Sequence, residues 1–419
     1  MFKVLAFALS SCTFVSAAMA ADSCVKEMVY PTQLEFPEVE QWAGRGPEAE
    51  CKMTKKLINY FSVLQDQVGG EEPLKKKLRG THSKGICLSG AYQASLSSHL
   101  KPEQKTLLSS LSLFGASDVR PTQVRFANAA SRIRPDWEPD VRALSIKIDL
   151  GNGVRQDFAF NNVPRFQIPS LPDFVRVMAL QKGLISGEVK VENGQPSILS
   201  MFQYFANLNG AVEAAYDLKR LKDVFDLASA DSKSIIYYDR QVYWSTTAFA
   251  LKAPGTSLSR VVKVGAAPCV QFAKEPSVST LISETAGSEA GAKDFAEQLF
   301  ARGFTSSKED YLQENLRTSL SQQPICYDLF VQFLTEEEIY TKTYFPNRRA
   351  AQLIEDPSLI WAAPAHKVGR LLINQMFEQE TCDRPEHAIS VMANSPQVKG
   401  IGQINRARDF VETSSWKRR

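Results

Sequence analysis

Histidine is scarce in this chain of 419 residues: there are four, and none stands in a cluster with cysteine. No Cys-x-x-Cys occurs either, so the ligand spacing of a structural zinc site is missing. Long runs of one charge are lacking too. With 49 Lys plus Arg against 46 Asp plus Glu, the net charge is +3, which leaves a nucleic-acid surface without support. Two short basic clusters, at 75–79 and 416–419, read as solvated faces, apart from Arg79 and Arg419, which have a sharper alternative. The sequence has no fixed-period repeat, no low-complexity tract and no Ser/Gly linker, which argues against a repeat array. In the mature chain no apolar run reaches the length of a transmembrane helix.

What is present describes a globular protein, 44% hydrophobic and 23% charged. Lys3 precedes an apolar run over 4–18, and small residues at Ala18 and Ala20 precede Ala21 and Asp22. That is the three-part pattern of a cleaved signal peptide over residues 1–20. Leu9 to Cys12 offers a competing lipoprotein box, behind a shorter apolar run. Export to the periplasm or beyond exposes the chain to oxidation, where the even set Cys24, Cys51, Cys87, Cys269, Cys326 and Cys382 suits disulfides of undetermined pairing.

Ala49, Met53, Leu57, Phe61 and Leu64 recur at steps of three and four, which predicts a helix over 47–68 within an N-terminal arm, 21–75. From 81 to 174 the chain is strand-rich. Alternation predicts strands over 86–96, 124–127, 143–149 and 157–166, with Asn152 and Gly153 as a hairpin turn. Helices are predicted over 172–184, 212–227, 293–302 and 310–320, and further strands over 235–249, 259–264, 325–334 and 368–373, the last two separated by a loop with Trp361 and Pro364. This alternation suggests one large α+β domain over 76–419.

Three ordered motifs sharpen the expectation. Arg79, His82, Lys84 and Gly85 form an Arg-x-x-His-x-Lys-Gly pattern, Val124, Arg125 and Phe126 follow, and Asn161, Asn162, Pro164 and Phe166 come third. Together they resemble the catalase superfamily, in its short, single-domain, catalase-related peroxidase-like branch. The resemblance implies an α+β fold, a catalase-like eight-stranded antiparallel β-barrel with surrounding helices, and haem b held against the barrel's side. It makes His82 the group that takes a proton from a bound hydroperoxide and returns it to the departing oxygen, a task suited to imidazole. Asn161 would polarise the peroxide. Arg79, Arg125 and Arg419 would hold the haem carboxylates, because a guanidinium fork matches a carboxylate. Phe126, Phe166 and Phe174 would line the pocket.

Departures from the pattern carry information as well. Thr81 stands where catalases proper tend to carry Val, and its hydroxyl suits a bond to the imidazole. The same change occurs in allene-oxide-synthase-like relatives that rearrange fatty-acid hydroperoxides. The stretch 402–419 resembles the family's proximal helix, with Arg408, Ser415 and Arg419 at the expected spacing, but the tyrosine position is Glu412. Three outcomes follow: Glu412 ligates the iron, Tyr340 or Tyr344 replaces it, or haem binding is lost. His99, His366 and His387 read as surface or structural residues.

The expected function is thus an exported, haem-dependent oxidoreductase acting on hydroperoxides, with organic or lipid peroxides favoured over hydrogen peroxide. A non-catalytic catalase-fold protein that binds haem or a hydrophobic ligand is the alternative. The expected partners are the hydroperoxide substrate and, with oligomeric state open, a second copy of the chain.

Overall fold

The computed structural model describes residues 23–68, 79–256, 260–269, 288–334, 356–377, 389–390 and 394–418, apart from positions 38, 132, 194 and 362. Eight strands close into an antiparallel barrel. In order around it these are β1 (Gly85–Ala94), β2 (Val119–Asn128), β3 (Arg142–Gly151), β4 (Val154–Asn161), β7 (Tyr243–Ser245), β9 (Arg260–Pro268), β10 (Ile325–Phe333) and β11 (His366–Met376), which returns to β1. A small hairpin, β5 (Val191–Glu192) with β6 (Gln195–Pro196), stands apart. β8 (Phe249–Leu251) and β12 (Val398–Gly400) extend the sheet from β9.

Alternation sorts the strand residues onto two faces. Phe126, Leu144, Phe158 and Phe160 point inward and join Tyr238, Tyr243 and Tyr327 in a filled interior. The ring of Phe126 lies 5.5–6.2 Å from those three tyrosine rings. A barrel of eight strands has room for side chains and no channel. The β3–β4 turn falls where the Asn-Gly pair predicted it, with φ of 53° at Asn152 and 75° at Gly153.

The helices are α1 (Cys24–Met28), α2 (Pro47–Val68), α3 (Pro102–Ser110), α4 (Ser112–Gly115), α5 (Leu171–Ile185), α6 (Ile198–Asn209), α7 (Ala211–Asp231), α8 (Glu289–Ala301), α9 (Tyr311–Gln322) and α10 (Gln403–Lys417). A second core lies outside the barrel, where Leu57, Phe61 and Leu64 of α2 meet Phe174 and Val177 of α5 and Ile404, Ala407 and Val411 of α10. Arg406 ties α10 to the N-terminal arm: Nε and Nη2 donate to the Glu50 carboxylate at 2.7 and 3.0 Å, Nη1 reaches Glu40, and the guanidinium stacks 5.0 Å above Trp42.

One sequence expectation of the fold needs correction. Of the stretch 235–249 only Tyr243–Ser245 and Phe249, the first residue of β8, are strand. Its earlier carbonyls accept from side chains instead: Ile235 from Tyr311, Ile236 from Asn315, and Tyr238 from both Tyr243 and Tyr327. Short α3, α6 and β12 also escaped the reading, α3 because its polar sequence carries little apolar stripe. Cysteine pairing is now assigned in part. Cys24 bonds Cys51, Cys269 bonds Cys326, and Cys87 is disulfide-bonded as well. The predicted signal peptide lies outside them too.

Candidate functional site

His82 sits in the loop before β1 with φ of 56°, a left-handed conformation that a non-glycine residue adopts only where its surroundings impose it. Those surroundings are specific. Ser83 Oγ lies 2.7 Å from the Arg79 carbonyl and 2.9 Å from that of Ser131. Lys84, 5% exposed at its side chain, anchors the loop through ion pairs of 2.8 Å to Asp136 and to Asp310. Its ammonium also donates to the carbonyls of Arg134 and Glu309. The lysine of the motif is thus a structural anchor.

Gly85 explains the motif's last position. A Cβ there would lie 2.6 Å from the Arg125 guanidinium and 2.6 Å from the Phe126 carbonyl. The missing side chain lets Arg125 cross β1 and donate to the His82 carbonyl at 2.7 Å. On the outer face of the barrel, strand register then lines up Gly85, Ala127, Ala143 and Asn161 as successive partners. At about 4.8 Å per strand this row spans roughly 14 Å from Gly85 to Asn161, with the two alanines between them, and His82 precedes its first member by three residues.

The third wall is α10. Its barrel-facing stripe carries Asn405, bonded to Thr247 at 2.8 Å, Arg408, bonded to Thr246 at 2.8 Å, and Asp409, bonded to Ser390. Arg408 also donates to Glu412 Oε1 at 3.0 Å, while Glu412 Oε2 is buried with no hydrogen-bond partner among the described residues. Burial pushes the Glu412 carboxyl up to about 7 against the pull of Arg408, and nearby Asp409 and Asp157 add to the rise.

His82 shares one of these neighbours, Arg408. Burial first, then the guanidinium groups of Arg125, Arg408 and Arg79, hold its imidazole down to about 3, with the Asn128 backbone pulling weakly the other way. The ring is therefore neutral at physiological pH. Its Nδ1 is buried and has no hydrogen-bond partner among the described residues.

The sequence-predicted residues thus divide. Arg79, Arg125 and Arg408 act on His82, Arg408 links that group to Glu412, and Asn161 is buried at the end of β4 as the partner of Ala143. Phe166 and Phe174 meet edge to face at 6.0 Å in the core beside α10. Phe126 must be reassigned: period-two alternation turns it into the barrel interior, on the opposite face from Arg125. Thr81 makes no side-chain hydrogen bond to His82, whose Nδ1 stays unpartnered among the described residues. The Ser415 carbonyl accepts from Gln65 of α2 at 2.9 Å, so the residue braces helix against helix. Arg419, Tyr340 and Tyr344 lie outside the described residues.

The donor set fits a flat ligand with carboxylates. Three guanidinium groups gather around one imidazole, an arrangement that suits an anionic edge, and the unpaired Glu412 oxygen belongs to the same neighbourhood. A haem brings both the edge and a metal centre. Sequence reading missed Arg406 and the pairing of Arg408 with Thr246, since neither had a local signal.

No family model and no curated protein matches the sequence. Solved structures do match. A fungal catalase aligns at 17% identity with a TM-score of 0.51, covering 80% of this chain and 57% of its own. Catalase A from Saccharomyces cerevisiae aligns at 14% and 0.50, covering 81% and 59%. A bacterial catalase aligns at 17% and 0.51, covering 96% and 69%. The chain spans less than two thirds of the length of the first two. Closed barrel, helical surround and structural neighbours agree: this chain has the catalase-like fold.

Proposed function

We propose that the protein is an exported, haem-dependent oxidoreductase that acts on hydroperoxides, with Glu412 facing the iron where catalases resembling it carry tyrosine. The observation that carries this reading is the convergence of His82, Arg79, Arg125, Arg408 and Glu412 on one outer face of the barrel. Bound haem would supply the iron and the two electrons that O–O cleavage consumes. The chain's own residues do the rest.

Arg79 and Arg125 would hold the carboxylates of a bound haem, which would offset two of the charges that depress the imidazole and make His82 a stronger base. His82, neutral, then takes the hydroperoxide proton and returns it to the departing oxygen. Asn161 would orient the peroxide by donating its amide N–H. Arg408 orients the Glu412 carboxyl through its hydrogen bond and partly opposes the rise that burial causes. The aromatic and aliphatic core of α2, α5 and α10 shields that side from water.

Disulfides at Cys24–Cys51 and Cys269–Cys326 support an oxidising compartment. No helix among the described residues is long and apolar enough to cross a membrane. The test is an absorption spectrum of the full chain titrated with haemin. A Soret band with saturable binding is expected, followed by turnover of an alkyl hydroperoxide with dye oxidation exceeding oxygen release. A protein that stays colourless refutes the reading.

A further inference from the structure

Along the barrel-facing stripe of α10, the early members are all satisfied: Asn405 by Thr247, Arg408 by Thr246 and Asp409 by Ser390. Satisfaction stops in the last turns. Glu412 Oε2 and Trp416 Nε1 are both buried and both lack a hydrogen-bond partner among the described residues. Four residues apart, they lie one above the other, about 6 Å along the helix axis.

An indole N–H is a donor only, and a buried donor is costly to leave unmade. The chain supplies a partner to each of those earlier positions on the stripe, and none here among the described residues. A ligand that reaches Glu412 with its centre and is held by arginines at its edge would bring the missing acceptor to Trp416. The flat indole also suits a flat ring system.

We propose that Trp416 is a further ligand-binding residue of this site, donating its indole N–H to a carboxylate of the bound porphyrin. This rests on the haem reading above. It adds a donor that titrates with nothing and serves a carboxylate beside the charged guanidinium groups.

The full chain, its Trp416→Phe variant and its Trp416→His variant are titrated with haemin and, separately, with iron-free protoporphyrin IX, which has the same carboxylates but no metal. Phenylalanine keeps the ring and removes the donor; histidine shrinks the ring and keeps a donor. Trp416→Phe should bind both porphyrins about tenfold more weakly, as for loss of one hydrogen bond to a charged group, and Trp416→His should stay within about threefold of wild type. In wild-type chain labelled with 15N-tryptophan, protoporphyrin IX should shift the indole N–H resonance that Trp416→Phe removes.

A wild type that binds neither porphyrin overturns the haem reading and this one together. If wild type binds, equal affinity in Trp416→Phe overturns this inference alone. A loss in Trp416→His with none in Trp416→Phe assigns packing and also overturns it. A loss confined to haemin places Trp416 at the iron, not at a carboxylate, and overturns it as well.

Discussion

Lys84 tests whether the loop that presents His82 is held by charge. Replacing it with methionine keeps most of the stem and removes an ammonium that is 5% exposed and lies 2.8 Å from each of two carboxylates. The two pairs are unequal. Asp310 is 46% exposed at its side chain, so water can take the place of the lysine. Asp136 is fully buried and would lose its cation. Breaking a buried pair from one side costs about 3–5 kcal/mol. Asp136 keeps two donors, the Asn128 amide and the Leu312 N–H, each at 3.0 Å, which places the cost near the lower end, about 3 kcal/mol. Urea unfolding with disulfides intact would measure it. Adding Asp136→Asn should restore part of the loss, since the uncompensated charge disappears, and a double-mutant cycle would give the coupling directly. A change below about 1 kcal/mol would mean that the motif's lysine does not carry the loop, and the structural account of His82 would fall with it.

Gly85→Ala should cost about 1–3 kcal/mol, because the new methyl would sit 2.6 Å from a backbone carbonyl and from the Arg125 guanidinium; an unchanged thermal midpoint would contradict this. In the porphyrin-loaded protein, His82→Ala should keep the Soret band and lower alkyl hydroperoxide turnover by about a hundredfold or more, and unaltered kinetics would remove His82 from the mechanism. Arg79→Ala should instead weaken porphyrin retention, read as faster transfer of haem to an acceptor protein. Lys263 is buried, donates to the Leu359 carbonyl at 2.8 Å, and burial brings its ammonium down to about 7. Between that value and the ordinary lysine range the unfolded chain holds the extra proton, so stability gained from this group is greatest at high pH and is lost as pH falls from the lysine range to about 7. Lys263→Met should flatten that segment of the stability curve relative to wild type, and parallel curves from pH 7 to about 9.5 would show that the group does not titrate as described.

Much of the framework was legible in the sequence because its causes are local. The stripe from Ala49 to Leu64 specified α2, and the Asn152-Gly153 pair specified a hairpin; both depend on forces acting within a few residues. The three motifs fall on the loop before β1, on β2 and on β4, within one four-strand run of the barrel. Alternation, applied to Val124–Asn128, could also have shown that Arg125 and Phe126 cannot share a face.

What the sequence could not decide was closure. The stretch 235–242 has strand composition, yet side chains of Tyr243, Tyr311, Asn315 and Tyr327 take its carbonyls once the barrel folds around it. Arg406 reads as one more helix arginine until Glu50, 356 positions earlier, is brought against it, and the Gln65–Ser415 bond spans 350. Glu412 likewise reads as a surface carboxylate until burial against the barrel leaves one oxygen unpaired among the described residues. Periodicity and turn chemistry fix elements because they act along the chain. Burial, charge and the unpaired groups that define the site arise only between segments far apart in sequence, so only the assembled structure sets them.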